Sequence, residues 1–166
     1  MTTIEEVQKR FELKVKELKE ILPGHYKTSM TSARNCAAWT VASMLDILGI
    51  DNLNLINMAT PLAVVGGNCG AVEGGLMIVG LILGKKGKKE LNHLVATMEG
   101  LKFVKQFEKE FGSIKCKDLT GLDLLTEKGQ KAYVKENIWE KKCYKHVIGA
   151  VETIRDLYKR KIAKII

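Results

Sequence analysis

The segment that decides the fold is GGNCGAVEGGLMIVGLIL, residues 66–83. From Cys69 to Leu83 it is apolar or small on nearly every side of a helix, which predicts a central, buried helix. Glycine costs about 1 kcal/mol relative to alanine inside a helix, so the four glycines that follow Cys69 need a reason. Close approach of another backbone or of a bulky cofactor supplies one. We therefore expect the rest of the chain to pack around this helix.

The same region raises the question of a membrane span, because residues 62–83 form a long apolar stretch. This stretch contains Asn68 and Glu73, and a charge at the centre of a bilayer costs about 2.5–3.5 kcal/mol. It also contains six glycines. These features favour a buried segment of a soluble core, and we expect no membrane association.

The hydrophobic pattern outside this segment is also helical. Residues 4–22 carry one apolar stripe at spacings of three and four residues, and Pro23-Gly24 ends it. No alternating polar and apolar run supports a sheet. The sequence predicts an all-α, single-domain helical bundle of six to seven helices, with residues 1–25 as an N-terminal amphipathic helix. A second helix is predicted from Thr31 or Ser32 to Leu48, and a third from Asp51 to Val65, which Pro61 limits or kinks. A further helix is predicted over about 90–111. The C-terminal helical region begins at Thr126 and is predicted to break near Gly129 or Asn137.

The charge balance raises the question of nucleic acid binding. The 166 residues include 27 Lys and Arg against 19 Asp and Glu, a net charge of +8, and Lys85-Lys86-Gly87-Lys88-Lys89 is the densest basic patch. Most other lysines alternate with glutamates on helical patterns, which is typical of solvated helix faces. No zinc finger, basic zipper or aromatic RNA-binding signature accompanies the patch. A nucleic acid partner is therefore not expected.

The first twenty residues are charged throughout and lack the apolar segment of a secretory signal. A cytoplasmic location is the simplest expectation. In a reducing compartment, cysteines are more often metal ligands, redox groups or inert core residues than permanent disulfides.

The chain contains four widely spaced cysteines. No CxxC or CxxCH occurs, so the local signals of a zinc ribbon, a thioredoxin, a ferredoxin and a covalently attached haem are absent. If the cysteines act together, the fold must bring them together. Each could also be a small buried hydrophobe, the common role of a free cysteine. The four are Cys36, Cys69, Cys116 and Cys143.

Two cysteines have surroundings that favour the thiolate. Cys69 opens a helix, where the macrodipole and free N–H groups stabilise negative charge. Cys116 is predicted in a glycine-bounded loop between Lys115 and Lys117, which also favour a thiolate. Cys143 lies three residues before His146, so the two share a helix face, and we expect His146 to be an ordinary helix residue rather than a ligand.

Four ordered elements resemble a known family. They are Asn35-Cys36-Ala37-Ala38, the glycine-rich residues 66–81, FGSIKCKDL at 111–119, and Cys143 followed by an apolar helix. Together they resemble the redox-active family named for its cysteine pattern, C_GCAxxG_C_C, over about residues 31–158. One departure is that the family label places Gly before the second cysteine and Ala after it, where this chain has Asn68 and Gly70. The resemblance implies an all-α fold and a four-cysteine redox-active or iron–sulfur centre.

Three functions stay open at this point. In the first, all four cysteines, or three of them with a non-cysteine ligand or an open iron position, bind an iron–sulfur cluster or iron. This centre transfers electrons to a redox partner protein, with Asn68, Gly70 and Gly74 beside the cofactor. In the second, the protein is a thiol–disulfide enzyme or sensor in which Cys69 attacks and Cys116 resolves. In the third, the cysteines are inert and the first and last helices form an interaction surface. A homodimer is compatible with all three. Glu73, one turn from Cys69, is expected to pair with a basic side chain or to lie near the site.

Overall fold

The computed structural model describes residues 2–25, 34–84 and 90–166. Within these ranges the chain forms eight α-helices, and the single β-type feature is an isolated antiparallel bridge between Asn68 and Lys115. The all-α prediction is therefore confirmed. The helices are α1 (Ile4–Ile21), α2 (Cys36–Leu48), α3 (Leu53–Ala59), α4 (Gly70–Gly84), α5 (His93–Phe111), α6 (Cys116–Thr120), α7 (Glu127–Lys135) and α8 (Tyr144–Ile162), with a 3-10 turn at Thr60–Leu62 and a π-helical turn at Trp139–Cys143.

The described residues form one helix more than the six to seven that the sequence predicted. The additional helix is α6, which replaces the loop predicted around Cys116. It has only five residues, too few to produce a hydrophobic period, and Gly121 ends it with a φ of 80°. The predicted helix from Asp51 to Val65 was also too long. Asn52 caps its start, and Pro61 occupies a 3-10 turn after Ala59, so α3 itself is short.

The start of α2 differs from the prediction as well. Its N-cap is Asn35, whose side-chain oxygen accepts a hydrogen bond from the Ala38 N–H at 3.0 Å. The predicted caps, Thr31 and Ser32, lie outside the described residues, as does the lysine patch at 85–89. The cap at Asn35 makes Cys36 the first residue of α2.

Helix α4 lies at the centre of the bundle and packs against α2, α5 and α8. Its glycines allow this packing. A Cβ on Gly74 would lie 2.7 Å from the Ala37 carbonyl oxygen, and a Cβ on Gly75 would lie 2.7 Å from Cε1 of Phe103. The predicted close approach of another backbone is thus confirmed at Gly74, whereas Gly75 makes room for an aromatic ring.

The N- and C-terminal helices close the bundle. Helix α1 packs against α8 and α2 through its buried apolar stripe. Beyond the end of α1, the Leu22 carbonyl oxygen accepts a hydrogen bond from the Trp139 indole N–H at 2.6 Å. This bond ties the end of the first helix to the π-helical turn. None of the helices in the described ranges is long and apolar enough to cross a bilayer.

The C-terminal helical region is interrupted at Asn137, which has a φ of 54° in the left-handed region. The break expected there is therefore confirmed. The alternative break at Gly129 is wrong, because Gly129 lies inside α7 against the Asp123 carbonyl. The π-helical turn begins two residues after Asn137 and ends at Cys143.

Candidate functional site

Cys36 and Cys69 lie side by side where α2 and α4 begin. The Cys69 thiol donates a hydrogen bond to the Cys36 sulfur, which also accepts from the backbone N–H groups of Gly70 and Ala37. These donors stabilise the thiolate and lower the pKa of Cys36 below its ordinary value, although desolvation opposes them. These donors therefore favour the thiolate at Cys36, the first residue of α2.

Gly70 makes this contact possible. A Cβ at this position would lie 2.5 Å from the Cys36 sulfur and 3.0 Å from the Ala37 nitrogen. A side chain of any size would therefore displace the sulfur from its backbone donors. The glycine after Cys69, which departs from the family label, thus has a packing role directly beside the thiol pair.

The surroundings of Cys69 do not favour the thiolate that the sequence predicts there. Hydrogen bonding to Cys36, burial and the negative charge of Cys36 together raise the pKa of Cys69 well above its ordinary value. The backbone N–H of Ala71 acts in the opposite direction but is a smaller effect. When two thiols share a hydrogen bond only one of them ionises readily, and the larger set of backbone N–H donors belongs to Cys36.

The surroundings of Cys116 do not favour the predicted thiolate either. Burial, with the negative charge of Cys36, raises the pKa of this thiol to about 11. The flanking lysines are engaged elsewhere. Lys115 donates to the Asn68 side-chain oxygen at 2.8 Å, and Lys117 pairs with Asp123 at 3.4 Å. Neighbours in sequence are thus not neighbours of the sulfur.

Cys143 ends the π-helical turn and is 7% exposed. Burial and the charge of Cys36 raise the pKa of its thiol to about 12, while a hydrogen bond from Tyr133 acts in the opposite direction. Single π-helical turns are rare and occur frequently at functional sites. His146 does not join this site. It is buried against Phe111 with ring centroids 5.0 Å apart, and burial lowers its pKa to about 4, so it is neutral at physiological pH.

Three of the four cysteines line one cavity of about 400 Å³, and Cys69 is hydrogen-bonded to one of them. The fold therefore brings together four residues that the sequence scatters. Among the described residues, no group of three or more His, Cys, Asp or Glu side chains is arranged to hold a metal ion. The lining residues are Asn35, Cys36, Ala63, Val64, Cys116, Leu124, Gln130, Tyr133, Val134, Trp139 and Cys143.

Backbone hydrogen bonds hold the Cys69 and Cys116 segments together. The Cys69 N–H donates to the Ile114 carbonyl at 2.7 Å, and the Cys116 N–H donates to the Gly67 carbonyl at 3.0 Å. Between these two bonds, Asn68 donates to Glu73 at 2.6 Å and accepts from Lys115. Glu73 thus lies near the site through Asn68.

A family model described as "Putative redox-active protein (C_GCAxxG_C_C)" matches residues 34–157. The chain belongs to this family. The match includes all four cysteines and confirms the resemblance drawn from the sequence. No curated protein and no solved structure matches the chain.

In this C_GCAxxG_C_C protein, the cofactor-side residues predicted from sequence occupy different places. Gly70 is packed against the Cys36 sulfur, Asn68 bridges Glu73 and Lys115, and Gly74 packs against Ala37. Asn68, Gly70 and Gly74 are not among the residues that line the cavity.

Sequence reasoning missed the part of the cavity wall that comes from α7 and from the turn after α3. Tyr133 and Val134 of α7 have no local signature, since an amphipathic helix face looks the same whether it covers a core or a cavity. Val64 adopts a φ of 75°, which is rare for a β-branched residue and occurs where surrounding structure enforces it. Its position on the cavity wall places this strained residue beside the cysteines.

Proposed function

We propose that this protein is a thiol-based redox protein whose working couple is Cys36 and Cys69. The observation that carries the proposal is the position of the Cys36 sulfur, which Gly70 admits against backbone N–H groups and beside the Cys69 thiol, where these groups lower the Cys36 pKa. A thiolate is the attacking species in thiol–disulfide exchange, and a second thiol beside it resolves the mixed disulfide. Cys36 supplies the first group and Cys69 the second.

The reaction is an exchange of two electrons with a partner disulfide. The Cys36 thiolate attacks one partner sulfur, the partner S–S bond breaks, and the other partner sulfur leaves as a thiolate. Cys69 then attacks the Cys36 sulfur, and its proton passes to a departing partner thiolate. The products are a Cys36–Cys69 disulfide and a partner reduced by two electrons, and the reverse sequence oxidises the partner.

Equilibration in dithiothreitol redox buffers tests the couple. We expect a single two-electron transition, and peptide mapping after acid quenching and alkylation should identify a Cys36–Cys69 disulfide. Cys36→Ser should abolish this transition. Cys116→Ser is the matched control, because Cys116 lines the same cavity but is not the nearest thiol to Cys69, and it should retain the transition. A disulfide between Cys69 and Cys116, or no disulfide under oxidising conditions, would contradict the proposed pair.

A second candidate function is iron–sulfur binding. It is favoured by the donor set, since Cys36, Cys116 and Cys143 line one cavity and Cys69 touches Cys36. Cysteine thiolates are the ligands that iron–sulfur clusters use, so the chemistry of the residues suits such a group, which would supply one-electron transfer. The side chains are not gathered around a common metal position in the described structure, so we rank this function below the dithiol couple.

Iron and acid-labile sulfide per chain decide between the two functions. For protein purified without oxygen, the dithiol proposal predicts neither element at stoichiometric level and no visible absorption band, before and after attempted reconstitution. Stoichiometric iron and sulfide that disappear in both Cys36→Ser and Cys143→Ser would replace the dithiol couple with a cluster. The Cys143→Ser variant matters because Cys143 has no part in the proposed exchange.

A further inference from the structure

The polar groups in the cavity wall are already paired within the protein. The Asn35 side chain accepts from the Ala38 N–H at 3.0 Å and donates to the Thr60 carbonyl at 2.8 Å. The Gln130 amide nitrogen donates to the Leu124 carbonyl at 3.0 Å. A bound molecule would therefore find few amide groups ready to replace its hydrogen bonds to water. Such a wall disfavours polar occupants, because a polar group that is buried without a hydrogen-bond partner loses its bonds to water without replacement.

The charges of the cavity wall also disfavour an anionic occupant. The described residues that line the cavity include no Lys, Arg, Asp, Glu or His, although the whole chain has a net charge of +8. The ionisable groups at the wall are the three thiols and Tyr133, and among them Cys36 carries the lowered pKa. A negatively charged occupant would meet no cation among the described lining residues, although the charge of Lys142 reaches Cys143, and it would lie next to a thiolate.

One side chain of the cavity wall is both apolar and exposed to solvent. Val134 lines the cavity and is 52% exposed. Val65 and Leu125 are 73% and 67% exposed, and each directly follows a lining residue in the chain. An exposed apolar side chain in the wall of a concave site suits the entry of an apolar ligand.

We propose that the cavity binds an uncharged, apolar organic disulfide and presents it to the Cys36 sulfur. This inference rests on the proposed function and specifies its substrate class. A volume of about 400 Å³ holds one small aromatic or aliphatic half of such a molecule, at the lower end of the range for ligand pockets. Cys36 attacks the nearer sulfur and the other half leaves as a thiolate. Cys69 then displaces the bound half, and its proton goes to a released thiolate. One R–S–S–R thus becomes one R–SH and one R–S⁻, which takes a proton from water according to its own pKa, while Cys36 and Cys69 become a disulfide.

Two chromogenic aromatic disulfides test this selectivity. 2,2′-Dithiodipyridine is uncharged and 5,5′-dithiobis(2-nitrobenzoate) carries two negative charges. The rate constant of Cys36 with each probe is the difference between the rate constants of the wild type and of Cys36→Ser. Dividing it by the rate constant of 2-mercaptoethanol with the same probe corrects for the intrinsic reactivity of that probe. We expect the normalised rates to favour the uncharged probe by roughly tenfold, the effect of burying one small apolar group. The net positive charge alone would favour the dianion.

Variants at Val134 connect the selectivity to the cavity. Val134→Trp should reduce the preference for the uncharged probe by filling part of the cavity. Val134→Lys should reduce it roughly fivefold by attracting the dianion, an effect of about 1 kcal/mol. Lys135→Trp is the matched control, since Lys135 is exposed on the same helix outside the cavity lining, and it should leave the ratio unchanged.

The outcomes separate the two proposals. If the Cys36–Cys69 disulfide forms but the normalised ratio is near one, or is insensitive to Val134→Trp and Val134→Lys, the cavity does not select the substrate and this inference is overturned while the redox couple stands. If Cys36 reacts with neither probe, both proposals are overturned. Because Val134 is half exposed, its variants should fold, and far-ultraviolet circular dichroism checks that they do.

Discussion

At pH 7, iodoacetamide will modify Cys36 at least about a hundred times faster than Cys116 or Cys143. The reason is the thiolate fraction of each residue. Hydrogen-bond donors lower the pKa of Cys36, whereas burial raises that of Cys116 to about 11 and that of Cys143 to about 12. A thiol with a pKa of 9 is about 1% ionised at pH 7 and one with a pKa of 11 about 0.01%, and only the thiolate reacts.

The alkylation rates of the cysteines should change with pH in different ways. The Cys36 rate should rise with pH and level off below the pH at which an ordinary thiol does, because its ionised form is stabilised. The rates at Cys116 and Cys143 should still be rising at pH 10. Pulse alkylation followed by peptide mass spectrometry measures the sites separately. Equal labelling of all four cysteines, or a plateau first at Cys116, would show that the thiolate has been assigned to the wrong residue.

Gly70→Ala should remove much of the difference in alkylation rate between Cys36 and the other cysteines. The new Cβ would lie 2.5 Å from the sulfur, which must then leave the N–H groups of Gly70 and Ala37. The Cys36 pKa should rise towards its ordinary value, and the rate at pH 7 should fall about tenfold, the change expected for one pKa unit. Gly66→Ala is the control, because a Cβ at Gly66 meets nothing within 4 Å. It should leave the rate nearly unchanged.

The position of α4 could be predicted from sequence because the signal is local. A helix that is apolar on all sides is stable in water only when it is buried, which in a helical bundle means at the centre. Its repeated glycines allow close packing, and Gly74 lies against the backbone of α2. The convergence of the cysteines could not be predicted in this way. It depends on pairing between distant segments, such as the hydrogen bond from Cys69 to the Ile114 carbonyl, and nothing in the composition of either segment specifies its partner.

The surroundings of the thiols could not be predicted from sequence for a related reason. Cys69 does lie at a helix start and Cys116 does lie between two lysines in sequence. Such groups change the pKa of a thiol only if the fold places them close to its sulfur. In the folded chain Lys115 bonds to Asn68, and the Cys69 thiol gives its hydrogen bond to Cys36. The pKa of a thiol is decided by the groups that surround it after folding, and sequence adjacency is a poor guide to them.

Gly75→Ala should destabilise the protein by about 2–3 kcal/mol, and Gly80→Ala in the same helix should stabilise it by about 0.5–1 kcal/mol. Both changes raise helix propensity by a similar amount. At Gly80 the new Cβ meets nothing within 4 Å, so the propensity gain is kept. At Gly75 the Cβ would overlap the ring of Phe103, which is fully buried and contacts the ring of Phe107, so the core must deform to admit one methyl group.

Urea denaturation followed by circular dichroism measures both variants, with the difference in midpoint converted through a common m-value. Should Gly75→Ala be too unstable to purify, the double variant Gly75→Ala with Phe103→Leu gives the same information, because the smaller side chain leaves room for the methyl group. The double variant should then be less stable than Phe103→Leu alone by much less than the roughly 2–3 kcal/mol expected for Gly75→Ala in the wild type, and by under about 1 kcal/mol. Equal stabilisation by Gly75→Ala and Gly80→Ala would mean that the glycine-rich helix is not held closely against α5. The glycines of α4 would then need another explanation, and the packing of the helix that places Cys69 against Cys36 would lose its support.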